Sequence, residues 1–389
     1  MRRISGITLA GTVALAASLL LAGCGGAASG SQGNGASASS KAPITIGVFG
    51  PLSGSLAVAG QHQLDGATYA ADLINAKGGA DGHQIRIVSG DTQGVPADAT
   101  SVVNRFIYQD HVTALLGSPN SPEVLAILNL DKKAKVVLLD PSGVAMAITQ
   151  SGDPYVFRIV ATDKIFSQKL VDYALQTLKF KKIAVLYDTS DYGQGGEQLV
   201  TAELKAAGVQ PVTVQGYNDN TNDFTSQLLA IKNAGAQAII LWGLYTQGAE
   251  ILHQMQTLGM HTQVLASTGV TIGNFFQLAG SAANGMIGAT AGYSPLRTDA
   301  TAQNFIHAFQ AKMHYVPDLN DVLAYDAVNV LAKAVETAHS TNEAKIRAAL
   351  AGIQNYPGVG GPITFQKNGD GGTAALLFRV ENGKEQLLP

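Results

Sequence analysis

Short apolar runs alternate with amphipathic stretches along most of the chain, from residue 44 onward. The first run, Ile44 to Phe49, is rich in β-branched residues, and the stretch from Gly60 to Lys77 carries apolar residues at helical spacing. Similar patterns predict strands at 85–88, 114–116 and 136–139, with helices at 97–109 and 122–133. Apolar strands that alternate with helices are typical of a parallel α/β sheet.

The same pattern starts again after residue 160 and predicts a second unit of similar size. Helices are predicted at 166–178, 194–207, 224–234 and 249–258, between strands at 183–187, 212–214 and 238–242 and near Val264 and Met286. Three helices then follow at 303–314, 322–338 and 343–353, and two closing strands, 363–365 and 376–380, are joined by a Gly-rich turn. These late pieces do not make a third domain. We therefore expect them to complete the first two, which implies several crossings and a hinge.

The N-terminal residues follow the order of a secretory signal peptide. Arg2 and Arg3 precede an apolar run that ends in small residues directly before Cys24, the one cysteine of the chain. Gly, Ser and Thr dilute this run, whereas a membrane span needs about 20 strongly apolar residues, so we predict a signal peptide over 1–23. Residues 24–42 are almost all small or polar and cannot bury a core, which predicts a flexible tether.

Charge and length narrow the classes of function. The formal net charge is −3, and the basic residues are scattered, so we predict no nucleic-acid partner. A chain of 389 residues is long enough for two domains, each with its own core.

Several short motifs occur in the order and spacing of one known family. They are Gly47 to Gly54 (GVFGPLSG), Gly66-Ala67, Ile74 to Gly79 (INAKGG), Asp91, Pro96-Ala97, Asp188, Tyr192-Gly193 and Asp223-Phe224. Together they resemble the branched-chain amino acid binding family of periplasmic binding proteins, over about residues 44–380. The sequence Leu-Ala-Gly-Cys at the end of the signal likewise resembles the lipobox of bacterial lipoproteins, in which Cys24 becomes the lipidated N-terminus.

The resemblance implies a type I periplasmic binding fold of the α/β class, with two lobes, each a parallel β-sheet flanked by helices. Lobe 1 would comprise residues 43–160 plus 293–355, and lobe 2 residues 161–292 plus 356–389, with several crossovers at the hinge. The implied partners are a small-molecule ligand, an ABC transporter permease and the cell membrane, reached through the lipid on Cys24. The implied location is extracytoplasmic, and neither a cofactor nor a metal is expected.

Two loops of lobe 1 carry candidate ligand residues. In the first loop, which contains Ser118, Ser121 suits the N-cap of the next helix and Pro122 its first position. An ordinary helix start explains the pattern from the sequence alone, whereas the resemblance implies that Ser121 binds a ligand carboxylate. Glu123 would repel that anion unless it points to solvent.

The second loop of lobe 1 ends a predicted strand, at the carboxyl edge where open α/β sheets bind ligands. The resemblance implies that backbone and hydroxyl groups of Ser142, Gly143 and Val144 hold the ligand head group. Val144 stands where a threonine hydroxyl is expected, and Ser142 compensates unless it is only a turn residue.

Lobe 2 carries the remaining candidates. The resemblance implies that Tyr192 and Tyr245 cover the ligand, although ordinary packing between helix and sheet is the alternative. Thr268 stands where family members that bind amino acids carry a carboxylate for the ligand ammonium. A buried ammonium without such a partner costs several kcal/mol. We therefore expect a carboxylate or amide without an ammonium, unless Glu123 or another acid compensates.

Two other classes of function remain to be weighed. An α/β enzyme is disfavoured, because the chain has no dinucleotide-binding, Walker-type or nucleophile-elbow motif in the required context. The histidines form no metal-binding motif, and we expect four of them on the surface: His62, His83, His111 and His314. We therefore predict no enzymatic activity. A lipoprotein that senses the same ligand for a signalling receptor remains open beside a transport component.

Overall fold

The computed structural model describes residues 41–218 and 220–389. The predicted signal peptide, Cys24 and the predicted tether up to residue 40 lie outside the described residues. The strands are β1 (Ile44–Gly50), β2 (Ile85–Asp91), β3 (Ala114–Leu116), β4 (Val137–Asp140), β5 (Val156–Arg158), β6 (Ile183–Asp188), β7 (Thr213–Tyr217), β8 (Ala238–Trp242), β9 (Gln263–Ala266), β10 (Ile287–Ala291), β11 (Tyr356–Gly358), β12 (Gly361–Ile363), β13 (Ala375–Glu381) and β14 (Lys384–Leu387). The helices are α1 (Ala57–Ala76), α2 (Pro96–Tyr108), α3 (Ser121–Ala134), α4 (Ala147–Gln150), α5 (Asp163–Asp172), α6 (Asp191–Ala206), α7 (Thr225–Asn233), α8 (Tyr245–Thr257), α9 (Phe275–Ala279), α10 (Ala300–Met313), α11 (Leu319–Ala338) and α12 (Glu343–Ala351).

The first sheet has five parallel strands in the order β2-β1-β3-β4-β5. Strand β1, which lies between β2 and β3, is buried along its whole length, as expected for a strand covered on both faces. Side chains alternate between the faces: Ile46 and Leu116 pack toward α1 and α11, whereas Leu115 and Leu138 pack toward α2 and α3. We call this sheet and the helices on it (α1–α4 and α10–α12) the first body.

The second sheet has seven strands in the order β14-β13-β10-β9-β8-β6-β7. The strands from β10 to β7 are parallel, and β13 and β14 extend the β10 edge as antiparallel strands. One face, with Val185 and Ile240, packs against α5 and α6, and the other, with Leu186 and Leu241, packs against α7 and α8. We call this sheet and helices α5–α9 the second body.

The chain passes between the two bodies three times within the described residues. It leaves the first sheet after β5 to form α5, returns after β10 to form α10, and leaves again after α12 to reach β13. The buried Arg158 joins the first and third crossings, because its Nη2 lies 2.6 Å from Oδ1 of Asp370. Strands β11 and β12 pair with each other as a short ribbon beside these crossings.

The helices α1 and α11 cross closely on one face of the first sheet. A Cβ atom at Gly66 would lie only 2.0 Å from the backbone oxygen of Asp321, so this position in α1 admits no side chain. The contact brings the beginning of α11 against α1 and fixes the residues around Asp318 at the edge of the first sheet.

The α/β class and the two sheets flanked by helices, both predicted from the sequence, are confirmed. The three-residue strands β5 and β11 and the edge strand β14 were not predicted, because such short segments show little periodicity. The two closing strands are β12 and β13: β12 pairs with β11, and β13 pairs with β10 and β14. The sequence left these partners open, because a turn signal between two strands does not reveal which strand each one pairs with.

Candidate functional site

The loops that follow β3 and β4 lie side by side at the carboxyl edge of the first sheet. Asn120 is the N-cap of α3, and the helix begins at Ser121, so the prediction of Ser121 as N-cap and Pro122 as first residue was wrong by one position. Asn120 has the extended backbone of an N-cap residue, but its side chain donates to the Gly94 carbonyl at 3.3 Å. The Ser121 hydroxyl accepts the N–H of Ala145 at 3.4 Å, which links the two loops.

Glu123 points into the protein and not to solvent. The Ser118 hydroxyl donates to Oε2 of Glu123 at 2.6 Å, and both side chains are buried. Burial raises the pKa of Glu123, although the hydrogen bond from Ser118 acts in the opposite direction. Ser118 is therefore committed to Glu123.

The β4 loop is shaped by a buried carboxylate. Oδ1 of Asp140 accepts the N–H groups of Ser142 at 3.3 Å and of Gly143 at 2.7 Å. A Cβ atom at Gly143 would lie 2.7 Å from Oδ2 of Asp140, so this tight turn requires glycine. The Ser142 hydroxyl donates to Oδ1 of Asn320 in α11 at 3.1 Å, and Val144 is buried two residues further on.

Tyr192 contributes its ring from the first turn of α6 in the second body. Its hydroxyl donates to Oγ of Ser267 at 2.9 Å and accepts the N–H of Gly269 at 3.2 Å. Burial raises the pKa of Tyr192, so the hydroxyl stays protonated. Thr268 lies between these two hydrogen-bond partners, in a 3₁₀ turn that follows β9.

Tyr245 joins the two bodies at the start of α8. Its hydroxyl donates to the backbone oxygen of Ser55, just before α1, at 2.8 Å, and the Thr246 hydroxyl reaches the same oxygen at 3.4 Å. Burial raises the pKa of Tyr245 to about 12. Leu244, the residue before it, faces the space between the bodies.

Residues from both bodies enclose a cavity of about 30 Å³. Five of the eight predicted ligand residues line it, namely Ser121, Ser142, Val144, Tyr192 and Thr268, whereas Ser118, Gly143 and Tyr245 do not. The other lining residues are Pro119, Asn120, Val160, Leu244, Gly269, Ile272, Leu319 and Leu323. A single water needs roughly 10–15 Å³ of such space, so a larger ligand must enter by separation of the bodies.

A polar cluster beside this cavity contradicts the expectation that His62 lies on the surface. Nδ1 of His62 lies 2.9 Å from Oδ2 of Asp318 and 3.5 Å from Oδ2 of Asp321, and its ring stacks on Tyr315 with centroids 4.7 Å apart. Oδ2 of Asp318 also accepts the N–H of Gly273, in the second body, at 3.2 Å. The sequence pattern missed this cluster because its members are far apart along the chain.

The same cluster has the ligand types of a metal site, with atoms within 4.8 Å of one another. Its oxygens, however, already accept hydrogen bonds: Oδ1 of Asp318 from two N–H groups of α11, and those of Asp321 from the N–H of Asp318 and the hydroxyl of Tyr315. Burial lowers the pKa of His62, but the hydrogen bond and charge of Asp318, together with the other carboxylates, raise it to about 9. The arrangement is therefore a helix cap joined to an ion pair.

Asp163, the first residue of α5, lies directly behind the cavity wall. Its N–H donates to the backbone oxygen of Val144 at 3.0 Å, and its side chain is buried. Sequence reasoning assigned no role to Asp163, because an aspartate that opens a helix is an ordinary feature of helix starts.

The comparison with protein families agrees with this architecture. A family model described as "Periplasmic binding protein" matches residues 43–385. The chain belongs to the periplasmic binding protein family. The proteins of this family are solute-binding proteins and not enzymes, and they work with ABC transporters outside the cytoplasm.

Curated and solved relatives of this periplasmic binding protein cover almost all of its described residues. Leu/Ile/Val-binding protein homolog 3 of Brucella melitensis is 26% identical over 345 residues, 88% of this chain and 93% of the relative. The leucine-, isoleucine-, valine-, threonine- and alanine-binding protein of Pseudomonas aeruginosa is 28% identical over 327 residues, 84% and 87% of the two chains. The predicted resemblance to the branched-chain amino acid binding family is thereby confirmed.

A crystal structure of the branched-chain amino acid substrate-binding protein LivJ from Streptococcus pneumoniae, in complex with isoleucine, has the same fold. It superposes with a TM-score of 0.83 at 28% identity and covers 89% of this periplasmic binding protein and 99% of LivJ. Among residues 41–218 and 220–389, no helix combines the length and apolar character needed to span a bilayer.

Proposed function

We propose that this periplasmic binding protein captures a small polar ligand, an amino acid or a related carboxylate or amide, and delivers it to an ABC importer. The proposal is carried by one observation: loops from both bodies enclose a cavity that presents hydroxyl groups beside apolar side chains. The names of the relatives, which bind leucine, isoleucine and valine, support a ligand of this size and polarity.

In this proposal the two lobes move about the three crossings. Lobe 1 comprises residues 43–160 with 293–355, and lobe 2 comprises residues 161–292 with 356–389. The distribution of strands and helices between the two sheets supports these bounds. Opening separates the cavity walls, which a cavity of about 30 Å³ requires before a ligand enters.

The ligand first docks on lobe 1, where Ser121 and Ser142 present hydroxyl groups near the beginning of α3. The free N–H groups of a helix start favour an anionic group at this place. Lobe 2 then closes with Tyr192 and Thr268, and the hydrogen bond from Tyr245 to Ser55 holds the closed form. Closure excludes water and so strengthens each polar contact with the ligand.

The proposal places the protein on the outer side of the cell membrane, anchored by a lipid on Cys24. Residues 24–42 then serve as the tether between that lipid and the folded part. A tether of small and polar residues allows the closed, loaded protein to reach an importer in the same membrane.

A thermal-shift screen of the mature protein tests ligand capture. The panel contains the common L-amino acids, short amides, urea, and aliphatic and aromatic carboxylates. A ligand that binds only the native state at one hundred times its Kd adds about 2.7 kcal/mol of stability, which raises the Tm by a few degrees. If every member of the panel leaves the Tm unchanged, the proposed function is wrong.

A further inference from the structure

A surface pocket of about 260 Å³ opens at the amino edge of the second sheet. It lies where β9 begins, at Gln263, and where β10 begins, directly after Met286. The cavity between the bodies lies beyond the other end of β9, at Thr268 and Gly269. A strand rises about 3.3 Å per residue, so β9 keeps the two about 10 Å or more apart. The pocket is therefore separate from the cavity assigned to ligand capture.

Three methionines and a histidine line this pocket, which we call the methionine pocket: Met255, Met260, Met286 and His261. The chain has six methionines, of which five follow the predicted signal peptide, so three of those five meet at one pocket. Methionine often fills gaps in a core. Packing alone, however, does not call for a concentration of sulfur and imidazole on the wall of an open pocket.

The end of α8 brings two of these thioethers together. The N–H of Met260 donates to the carbonyl of Met255 at 2.9 Å, and the N–H of Gly259 donates to that of Gln256 at 3.0 Å. Gly259 has a φ of 59°, as the last turn of a Schellman motif requires. In this motif the side chains at the positions of Met255 and Met260 pack on each other. Met286 joins the same buried cluster from the second sheet.

The rest of the wall offers little to a hard cation. Within the described part of the chain, no Asp, Glu, Lys or Arg lines the methionine pocket. Its side-chain amides are engaged: Nε2 of Gln263 donates to the Gly285 carbonyl at 2.8 Å, and Oδ1 of Asn284 accepts the Gly383 N–H at 3.0 Å. The exposed ring of His261 makes no hydrogen bond to residues 41–218 and 220–389. Ca²⁺ and Mg²⁺, which take carboxylate oxygens, therefore find no such partner here.

We propose that the methionine pocket binds Cu(I), a soft monovalent cation, through the sulfurs of Met255, Met260 and Met286, with the His261 imidazole as a fourth ligand. Thioethers are soft donors that select Cu(I), and imidazole also suits copper. Methionine has three rotatable bonds, so each sulfur turns toward the ion without movement of the backbone. The site adds metal binding to solute capture and depends on neither the solute nor the importer.

Titration with Ag(I) tests the site, because Ag(I) has the charge and softness of Cu(I) and is not oxidised by air. The mature protein carries Cys24→Ser in every measurement, since the one thiol of the chain is a competing soft ligand. Calorimetry in a chloride-free buffer is expected to show one Ag(I) ion bound per chain. Absence of saturable binding overturns the inference and leaves the proposed solute capture untouched.

Nuclear magnetic resonance of protein with isotope-labelled methionine methyl groups identifies the sulfurs that bind. We expect the signals of Met255, Met260 and Met286 to move together and to stop moving at one equivalent of Ag(I). The signals of Met146 and Met313 are expected to stay in place, because neither residue lines the pocket. Equal movement of all five signals, or movement of none, overturns the inference.

Leucine in place of methionine removes the sulfur and nearly keeps the volume, so the variants are expected to fold. Met255→Leu and Met286→Leu are each expected to weaken Ag(I) binding at least about tenfold, because loss of even a group that supports a metal ligand costs that much. Met313→Leu on α10 is the matched control and is expected to keep the full affinity. Equal affinities in Met255→Leu and Met313→Leu contradict the proposed site.

X-ray absorption by the Cu(I)-loaded, unaltered pocket reports the neighbours of the copper directly. The protein is loaded with one equivalent of Cu(I) kept reduced by ascorbate. We expect three sulfur neighbours and one nitrogen neighbour. A copper ion surrounded only by nitrogen and oxygen rules out the methionine pocket as its site.

Discussion

At the scale of single residues, Ser121 has a double attachment. Its backbone begins α3, and its hydroxyl accepts the N–H of Ala145 from the neighbouring loop while it lines the cavity. The 3.4 Å contact is long for a hydrogen bond, so the hydroxyl is free to turn toward a ligand at little cost to the fold.

Ser121→Ala is expected to weaken ligand binding about three- to tenfold, because one neutral hydrogen bond is worth about 0.5–1.5 kcal/mol. The Tm without ligand is expected to stay nearly unchanged. Calorimetry with the best ligand of the thermal-shift panel measures the effect.

Ser101→Ala is the matched control, because the Ser101 hydroxyl donates to the Ala97 carbonyl on the exposed side of α2, away from the cavity. We expect no loss of affinity in this variant. Equal affinities in the two variants would remove Ser121 from the binding site.

At the scale of elements, the crossing of α1 and α11 fixes the side of the cavity formed by Leu319 and Leu323. The crossing depends on Gly66, where a Cβ atom would meet the backbone of Asp321 and not a flexible side chain. The backbone of Asp321 can move away from an added Cβ only if the whole of α11 shifts. The loss of stability therefore arises from the packing of the two helices and not from one side chain.

Gly66→Ala is expected to destabilise the protein by about 1–3 kcal/mol, as overpacked interiors do, despite the better helix propensity of alanine. Urea unfolding measures this change. Gly195→Ala in α6 is the control: no atom lies within 4 Å of its added Cβ, and we expect it to be neutral or stabilising by up to about 1 kcal/mol. Similar stability of the two variants would contradict the close crossing.

At the scale of the whole molecule, two hydrogen bonds beside the cavity join the bodies. Tyr245 donates to the Ser55 carbonyl, and Asp318 accepts the Gly273 N–H. The neighbours Leu244, Ile272 and Leu319 line the cavity. The residues whose hydrogen bonds join the bodies are thus adjacent in sequence to residues that line the cavity. Binding of a ligand in the cavity and closure of the bodies are therefore expected to depend on each other.

The pairing of His62 with Asp318 predicts how stability depends on pH. The folded pKa of about 9 lies above the usual value of 6.5, so this contribution is fully present below pH 6.5 and is lost as the pH rises through 9. The protein is expected to lose about 1–3 kcal/mol of its free energy of unfolding between pH 7 and pH 10 for this reason.

Urea unfolding at both pH values tests this loss, and His62→Gln serves as the comparison because it cannot titrate. The variant is expected to lose less stability than the unaltered protein over the same interval. An identical loss in both proteins would show that other groups cause the pH dependence.

The structure brings both loops of the first body that the sequence singled out to one cavity, but it does not bring every predicted side chain there. The loops after β3 and β4 were found because parallel strands end at one edge of a sheet. Tyr245 was placed in the cavity, but Leu244 occupies that position and Tyr245 reaches Ser55. One residue at a helix start turns a side chain by about 100°, so a shift of one position changes what it faces.

The sequence by itself determined the alternation of strands and helices, the two sheets and the loops that carry polar residues, because periodicity reports which face of each element is buried. Tertiary structure alone decided which distant residues meet, as when Ser142 bonds Asn320, 178 positions away. It also decided that Glu123 is buried, that His62 pairs with Asp318 and that Asp163 is left without a partner. Burial and charge pairing depend on how segments distant in sequence pack against one another, and no local pattern along the chain encodes that packing.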